Sequence, residues 1–238
     1  MLVAAAVCPC PPLLVPEVAA GAAPELDTAR NACADALGVL AASRPDLLVV
    51  AGPAARDRRG PHPEGARGSF GGFGVGLEVR LGEDTPEGAA AGPLPDSLAV
   101  GAWLLGRTGW NGAPVEGLGV GESLEAARCA DAGRELARRA DRVALLVMGD
   151  GSACRTLKAP GYLDERAEDF DAGAARALGD ADTAALLALD AGLARTLKVS
   201  GRAPWQVLAG AAAGTDLGGR LLYAEAPYGV GYFVAAWS

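Results

Sequence analysis

Apolar residues fall into two patterns along this chain. Continuous runs bounded by Gly and Pro read as buried strands, and residues spaced three and four apart read as helices. Leu2–Val7 is the first run, and it ends in Cys8-Pro9-Cys10-Pro11-Pro12, a loop stiffened by proline. Pro24–Ala42 carries Leu26, Ala29, Cys33, Leu37 and Leu40 at helical spacing, with Glu25 and Asp27 near its start. Leu47–Ala51 is a second run, closed by Gly52-Pro53. Strand, helix and strand in this order predict a βαβ unit and a parallel sheet.

Ala54–Gly68 is polar, with four arginines and His62, and reads as a loop. Ser69–Leu81 sets Phe70, Phe73, Val75, Leu77, Val79 and Leu81 among Gly, Glu and Arg, as a strand does, and Gly82–Pro95 reads as a linker. Helices are predicted over Ser97–Leu105, Ser123–Ala140 (with Ser123 as N-cap), Glu165–Leu178, Asp182–Leu189 (capped by Asp180 or Asp182), Ala191–Val199 and Trp205–Ala213. Strands are predicted over Val115–Val120, Arg142–Met148, Leu221–Ala224 and Val230–Trp237. The result is an α/β chain: one domain over residues 1–238, a three-layer α/β/α sandwich with a mostly parallel central sheet. In such sheets, sites form at the carboxyl ends of the strands. Cys8-Pro9-Cys10-Pro11, Gly52-Pro53-Ala54 and Gly149-Asp150-Gly151-Ser152 fall there.

Composition narrows the function. Half of the residues are apolar but only 5% are aromatic, so small aliphatic side chains must fill the core. Lys plus Arg is 21 and Asp plus Glu is 29, a net charge of 21 − 29 = −8, which disfavours a nucleic-acid partner. No apolar run reaches the ~18 residues of a membrane span. The apolar opening lacks the basic flank of a signal peptide and is broken at once by proline, so a cytoplasmic protein is expected, with no membrane partner. Abundant Ala, Arg, Gly and Asp with almost no Lys look like translation from GC-rich DNA. Five cysteines (Cys8, Cys10, Cys33, Cys129, Cys154) are an odd count without repeated spacing and read as free thiols. There is one histidine, so metal sites needing two are excluded.

The candidate chemistry is therefore sparse. Cys10 is a thiol held in a rigid loop after a strand, able to bind a soft metal or to pack as a small apolar residue. Asp150 and Ser152 follow the strongest strand; they suit ligand or metal contact, or a plain turn and cap, and Lys158 and Tyr162 come after them as substrate-binding candidates. Glu225 sits beside glycines before the last strand, as a metal ligand or base, or as a surface turn, and Tyr228 near it is a third substrate-binding candidate. His62 among arginines is a weaker catalytic candidate, more in keeping with a solvated loop.

Several stretches carry a family likeness: Ala6-Val7-Cys8-Pro9 with Pro11-Pro12-Leu13-Leu14, Arg44-Pro45-Asp46-Leu47, Gly149-Asp150-Gly151-Ser152, Lys158-Ala159-Pro160-Gly161-Tyr162 with Asp164, and Ala226-Pro227-Tyr228-Gly229-Val230-Gly231-Tyr232. With these the chain resembles the LigB-like class III extradiol dioxygenase superfamily, in particular small actinobacterial proteins of that group, to which Memo-like proteins are related. The resemblance implies the α/β/α fold and, in active members, ferrous iron held by two histidines and a glutamate, with a further histidine as acid/base. Where the resemblance expects those histidines, this chain has Cys10, the Gly52-Pro53-Ala54-Ala55 segment, and Ala153-Cys154. Glu225 is the nearest counterpart of the glutamate.

Three readings follow. The first is a LigB-like protein that has left extradiol cleavage and binds a small molecule at the strand ends. The second is a divergent metalloenzyme, an oxidoreductase using Cys10 and Glu225, Asp150 or His62 around iron, zinc or copper. The third is a thiol enzyme with Cys10 or Cys154 as nucleophile. The apolar C-terminal strand suggests a homodimer if it forms a sheet edge.

Overall fold

The computed structural model describes residues 1–238. Its strands are β1 (Leu2–Cys8), β2 (Leu47–Pro53), β3 (Gly60–His62), β4 (Arg67–Ser69), β5 (Glu78–Arg80), β6 (Val115–Val120), β7 (Val143–Met148), β8 (Gly219–Glu225) and β9 (Tyr232–Trp237). Its α-helices are α1 (Pro16–Ala19), α2 (Asp27–Ala42), α3 (Pro86–Ala90), α4 (Asp96–Thr108), α5 (Ala126–Leu136), α6 (Arg166–Gly179), α7 (Thr183–Leu187), α8 (Ala191–Thr196) and α9 (Arg202–Ala211). None is long and apolar enough to cross a membrane.

Seven strands form one sheet in the order β3-β6-β2-β7-β1-β9-β8. β6, β2, β7 and β1 run parallel, in the register Ala6↔Leu146 and Val50↔Leu146. β3 and β9 run against them, and β8 runs against β9. The central strands have no polar face because helices cover both sides. Alternate residues of each strand feed opposite cores. Ala4, Ala6 and Cys8 of β1 and Leu146 and Met148 of β7 join one core with α2 and α4. Ala5 and Val7, with Leu145 and Val147, join the other core with α5, α6 and α9. The chain is therefore an α/β/α sandwich with a mostly parallel sheet. Small residues let neighbouring helices of one layer approach closely: a side chain on Gly133 of α5 would collide with the Val207 carbonyl of α9.

Several expected elements take a different form. The polar Ala54–Gly68 segment contains β3, a three-residue edge strand paired with Gly117–Gly119 of β6. Pro61 within it leaves the outer rim of the sheet short and poor in free donors. Ser69–Leu81 is not one strand: β4 and β5 pair antiparallel as a separate hairpin, because Gly71–Phe73 turns and Gly74 adopts φ +80°. Ser123 caps nothing; α5 begins at Ala126. Asp182 does cap its helix, accepting the Ala185 N–H at 2.9 Å. The C-terminal strand β9 lies between β1 and β8, so it offers no free edge for a dimer.

Candidate functional site

The connection from β2 leaves through α4, on the α2 side of the sheet, while the chain after β7 leaves through α6 to α9 on the opposite side. β2 and β7 are neighbours. Their carboxyl ends therefore part, and a crevice opens between them, as doubly wound sheets require. Two lobes occupy it, of about 600 and 560 Å³, both touching Ala54, Ala55, Glu122 and Ser200.

The floor is built where the loops after β1 and β7 meet. The Asp150 carboxylate accepts the Cys10 backbone N–H at 2.8 Å, and the Asp150 N–H donates to Ser200 Oγ at 3.0 Å. Gly201 N–H closes the unit by donating to the Asp150 carbonyl at 2.9 Å. This contact needs a glycine at position 149, because a side chain there would lie 2.4 Å from Gly201 Cα. Burial pushes the Asp150 carboxyl up to about 7, although the Cys10 N–H works in the other direction. Burial also pushes the Cys10 thiol well up, and the neighbouring Asp150 charge adds to it.

The two lobes differ in chemistry. The Cys10 lobe is lined by Asp57, Arg58, Asp96 and Ser97. Ser97 is buried and donates to the Pro53 carbonyl at 2.7 Å, which fastens the start of α4 to the end of β2. The other lobe brings Arg59, Arg195, Lys198 and Arg202 together with Glu122 as the only carboxylate. The Arg202 guanidinium is spent on structure: it donates to the Leu124 carbonyl and to Gln206 Oε1, and so ties the loop after β6 to α9.

Cys10 and Asp150 are thus joined, Cys10 lining one lobe and Asp150 lying behind it and lining neither. Ser152 does not join them. It is fully buried, and its N–H and hydroxyl donate to the two Asp171 oxygens at 2.8 and 2.7 Å, a structural clasp on α6. His62 is not solvated: it is buried on β3 with Nε2 3.0 Å from the Arg58 carbonyl, and it lines neither lobe. Lys158 and Tyr162 stand exposed in the loop after Cys154, Tyr162 at φ +64°, and line neither lobe. Glu225 is exposed at the end of β8 and accepts from the Tyr223 hydroxyl at 3.3 Å. Tyr228 packs against the α2-side core beyond both lobes.

All five cysteines are free and buried. Burial raises the thiols of Cys10 and Cys154, and Cys154 Sγ is 3.5 Å from the Leu197 carbonyl. Neither has the electropositive, thiolate-favouring surroundings of a nucleophile. The ferrous site implied by the resemblance also lacks its donors. Ala54 offers none, Cys154 is turned into the opposite core, and Glu225 is exposed at the rim of the sheet. No three His, Cys, Asp or Glu side chains converge anywhere in the chain to hold a metal ion. The residues present do not fit the iron.

Sequence reasoning missed Ser200, Glu122 and the cationic wall. One signal was available: only two lysines occur, and one of them, Lys198, stands just before Ser200-Gly201.

No protein-family model and no curated protein matches the chain. Among solved structures, the crystal structure of the uncharacterized protein JW3007 from Escherichia coli K12 is similar over 99% of each chain, at 15% identity and a TM-score of 0.53. At that identity the likeness concerns the fold alone.

Proposed function

We propose that the protein is a LigB-like extradiol dioxygenase homologue whose cleft binds a small molecule without ferrous-iron ring cleavage. One observation supports this reading: the crevice opens at the carboxyl ends of the strands, where the resemblance implies a site, and it presents Cys10 and Ser200 with alanine on the β2 side. Ferrous sites of this kind rely on two neutral imidazoles and a carboxylate. A thiol raised by burial stays protonated at neutral pH, and metals bind the thiolate. Cys10 therefore cannot replace an imidazole at small cost, and Ala54 cannot replace one at all. What the crevice keeps is shape, a hydrogen-bonded floor and charged walls, which are the elements of a binding site.

The test is activity after anaerobic loading with ferrous iron. Catechol and protocatechuate are supplied with oxygen, and absorbance of a ring-opened product is followed. No product is expected above that from free iron. Enzyme-dependent product at stoichiometric iron overturns the reading.

A further inference from the structure

We infer that the loop over residues 154–165, between β7 and α6, is the contact surface through which two copies of this chain form a two-fold dimer. None of its residues lines either lobe of the crevice.

Exposed apolar area on a closed loop is the first observation. Seven large apolar side chains of the protein are exposed, and three of them fall within seven residues: Leu157 at 61%, Tyr162 at 63% and Leu163 at 44%. One exposed leucine is ordinary, but a cluster marks an interaction surface. The loop is not a frayed segment. Its neck is shut by the Asp164 N–H donating to the Cys154 carbonyl at 3.0 Å and the Gly161 N–H donating to the Ala153 carbonyl at 2.7 Å. The Arg155 N–H donates to the Gly229 carbonyl at 3.0 Å, and the Lys198 ammonium donates to the Pro160 carbonyl at 3.3 Å. Ala159 is buried against Gly229, where a side chain would meet it at 2.6 Å. A compact loop tied in this way presents its side chains from a fixed base.

Backbone strain is the second observation. Tyr162 adopts φ +64°, a conformation that favours glycine. Its ring is mostly exposed, so packing within one copy does not repay that strain. Strain kept at the surface points to a use for the side chain that carries it.

Charge selects the occupant. Residues 155–165 contain four charged side chains, Arg155, Lys158, Asp164 and Glu165. Arg155 is paired with Glu168 and Asp171, and Asp164 with Arg166. Lys158 and Glu165 are exposed and form no ion pair. They stand at opposite ends of the segment that carries Leu157, Tyr162 and Leu163. One free cation and one free anion about an apolar centre make a surface complementary to itself. A two-fold axis sets Lys158 of each copy against Glu165 of the partner subunit, and the pair forms twice. A wholly acidic or wholly basic partner would leave one of the two unmatched. The loop alone offers less than a standard interface, so the dimer is weak and reversible.

The experiment is sedimentation velocity of the full chain from micromolar to submillimolar concentration, where a reversible monomer–dimer equilibrium is expected. Lys158→Glu and Glu165→Lys should each weaken dimerisation about tenfold, because two like-charge contacts replace two attractive ones, and the double variant should restore it. Tyr162→Gly relieves the positive φ, so it should be at least as stable as wild type in thermal unfolding while dimerising more weakly. Arg220→Gln, at an exposed site on the edge strand β8, should dimerise as wild type does. A monomer at every concentration, a dimer indifferent to both charge reversals, or a double variant that fails to recover association overturns the inference.

Discussion

The carboxylate of Asp150 accepts the backbone N–H of Cys10 at 2.8 Å. The two residues are 140 positions apart, and each follows a central parallel strand, β1 and β7, paired along their length. The bond therefore fixes the relative height of two neighbouring strand ends. It also sets a buried titrating carboxyl behind Cys10, which lines the crevice.

Asp150 should govern part of the pH dependence of stability. Its folded-state value of about 7 lies above the roughly 3.9 of an unfolded chain, so the folded state binds more protons between these values. Stability from this group is present at low pH and is lost as pH rises from about 4 to about 7. Asp171, also raised by burial, titrates in the same sense. The comparison is therefore wild type against Asp150→Asn, whose amide oxygen can still accept the Cys10 N–H. Urea unfolding at pH 5 and pH 8 should show a smaller loss of stability in the variant. An identical pH slope in both proteins would contradict the assignment.

Ser152 should matter for folding and not for binding. Ser152→Ala removes one hydrogen bond to a buried carboxylate, at a cost of about 1.5–3 kcal/mol. Asp171→Ala strands the Ser152 N–H and hydroxyl and leaves Arg155 with Glu168 as its remaining carboxylate partner, and should cost more. Denaturant midpoints measure both, and ligand affinity of Ser152→Ala should stay at the wild-type value. A Ser152→Ala protein of full stability with lost binding would move Ser152 back into the site.

Cys10 should alkylate slowly. Burial and the Asp150 charge keep it a thiol at neutral pH. Mass-resolved labelling with iodoacetamide at pH 7.5 should modify native Cys10 more slowly than a free cysteine peptide, and all five cysteines readily in denaturant. Rapid, selective labelling of Cys10 in the native protein would revive a thiol mechanism.

Gly149 should tolerate no side chain. A methyl group there meets Gly201 Cα at 2.4 Å, in the backbone contact that carries Ser200 to Asp150. Gly149→Ala should cost about 3 kcal/mol and lower Tm by about 6–12 °C. A variant within a degree of wild type would show that the two loops part freely.

The parallel strands were legible because both their faces are covered, which leaves uninterrupted apolar runs such as Val143–Met148. The rim was not. β3 is three residues in an arginine-rich segment, so its pairing with β6, and with it the burial of His62, has no local signature. β9 reads as apolar whether it is edge or interior, and only β8 pairing with it decides. At the site, Cys10 and Asp150 could be placed because each directly follows a strong strand. Arg59, Arg195 and Lys198 come from separate loops and a short helix, and no spacing links them before the chain is folded. Ser152 was misread for a related reason: Asp171, which holds it, lies a whole loop away on α6.

The central proposal is that the crevice of this LigB-like chain binds a small molecule and holds no ferrous iron. Anaerobic calorimetric titration of ferrous iron into the full-length protein, with Cys10→Ser as control, tests it most directly. The account predicts no saturable one-to-one uptake and identical traces for both proteins. A stoichiometric site abolished by Cys10→Ser, accompanied by oxygen-dependent opening of a catechol ring, would contradict it.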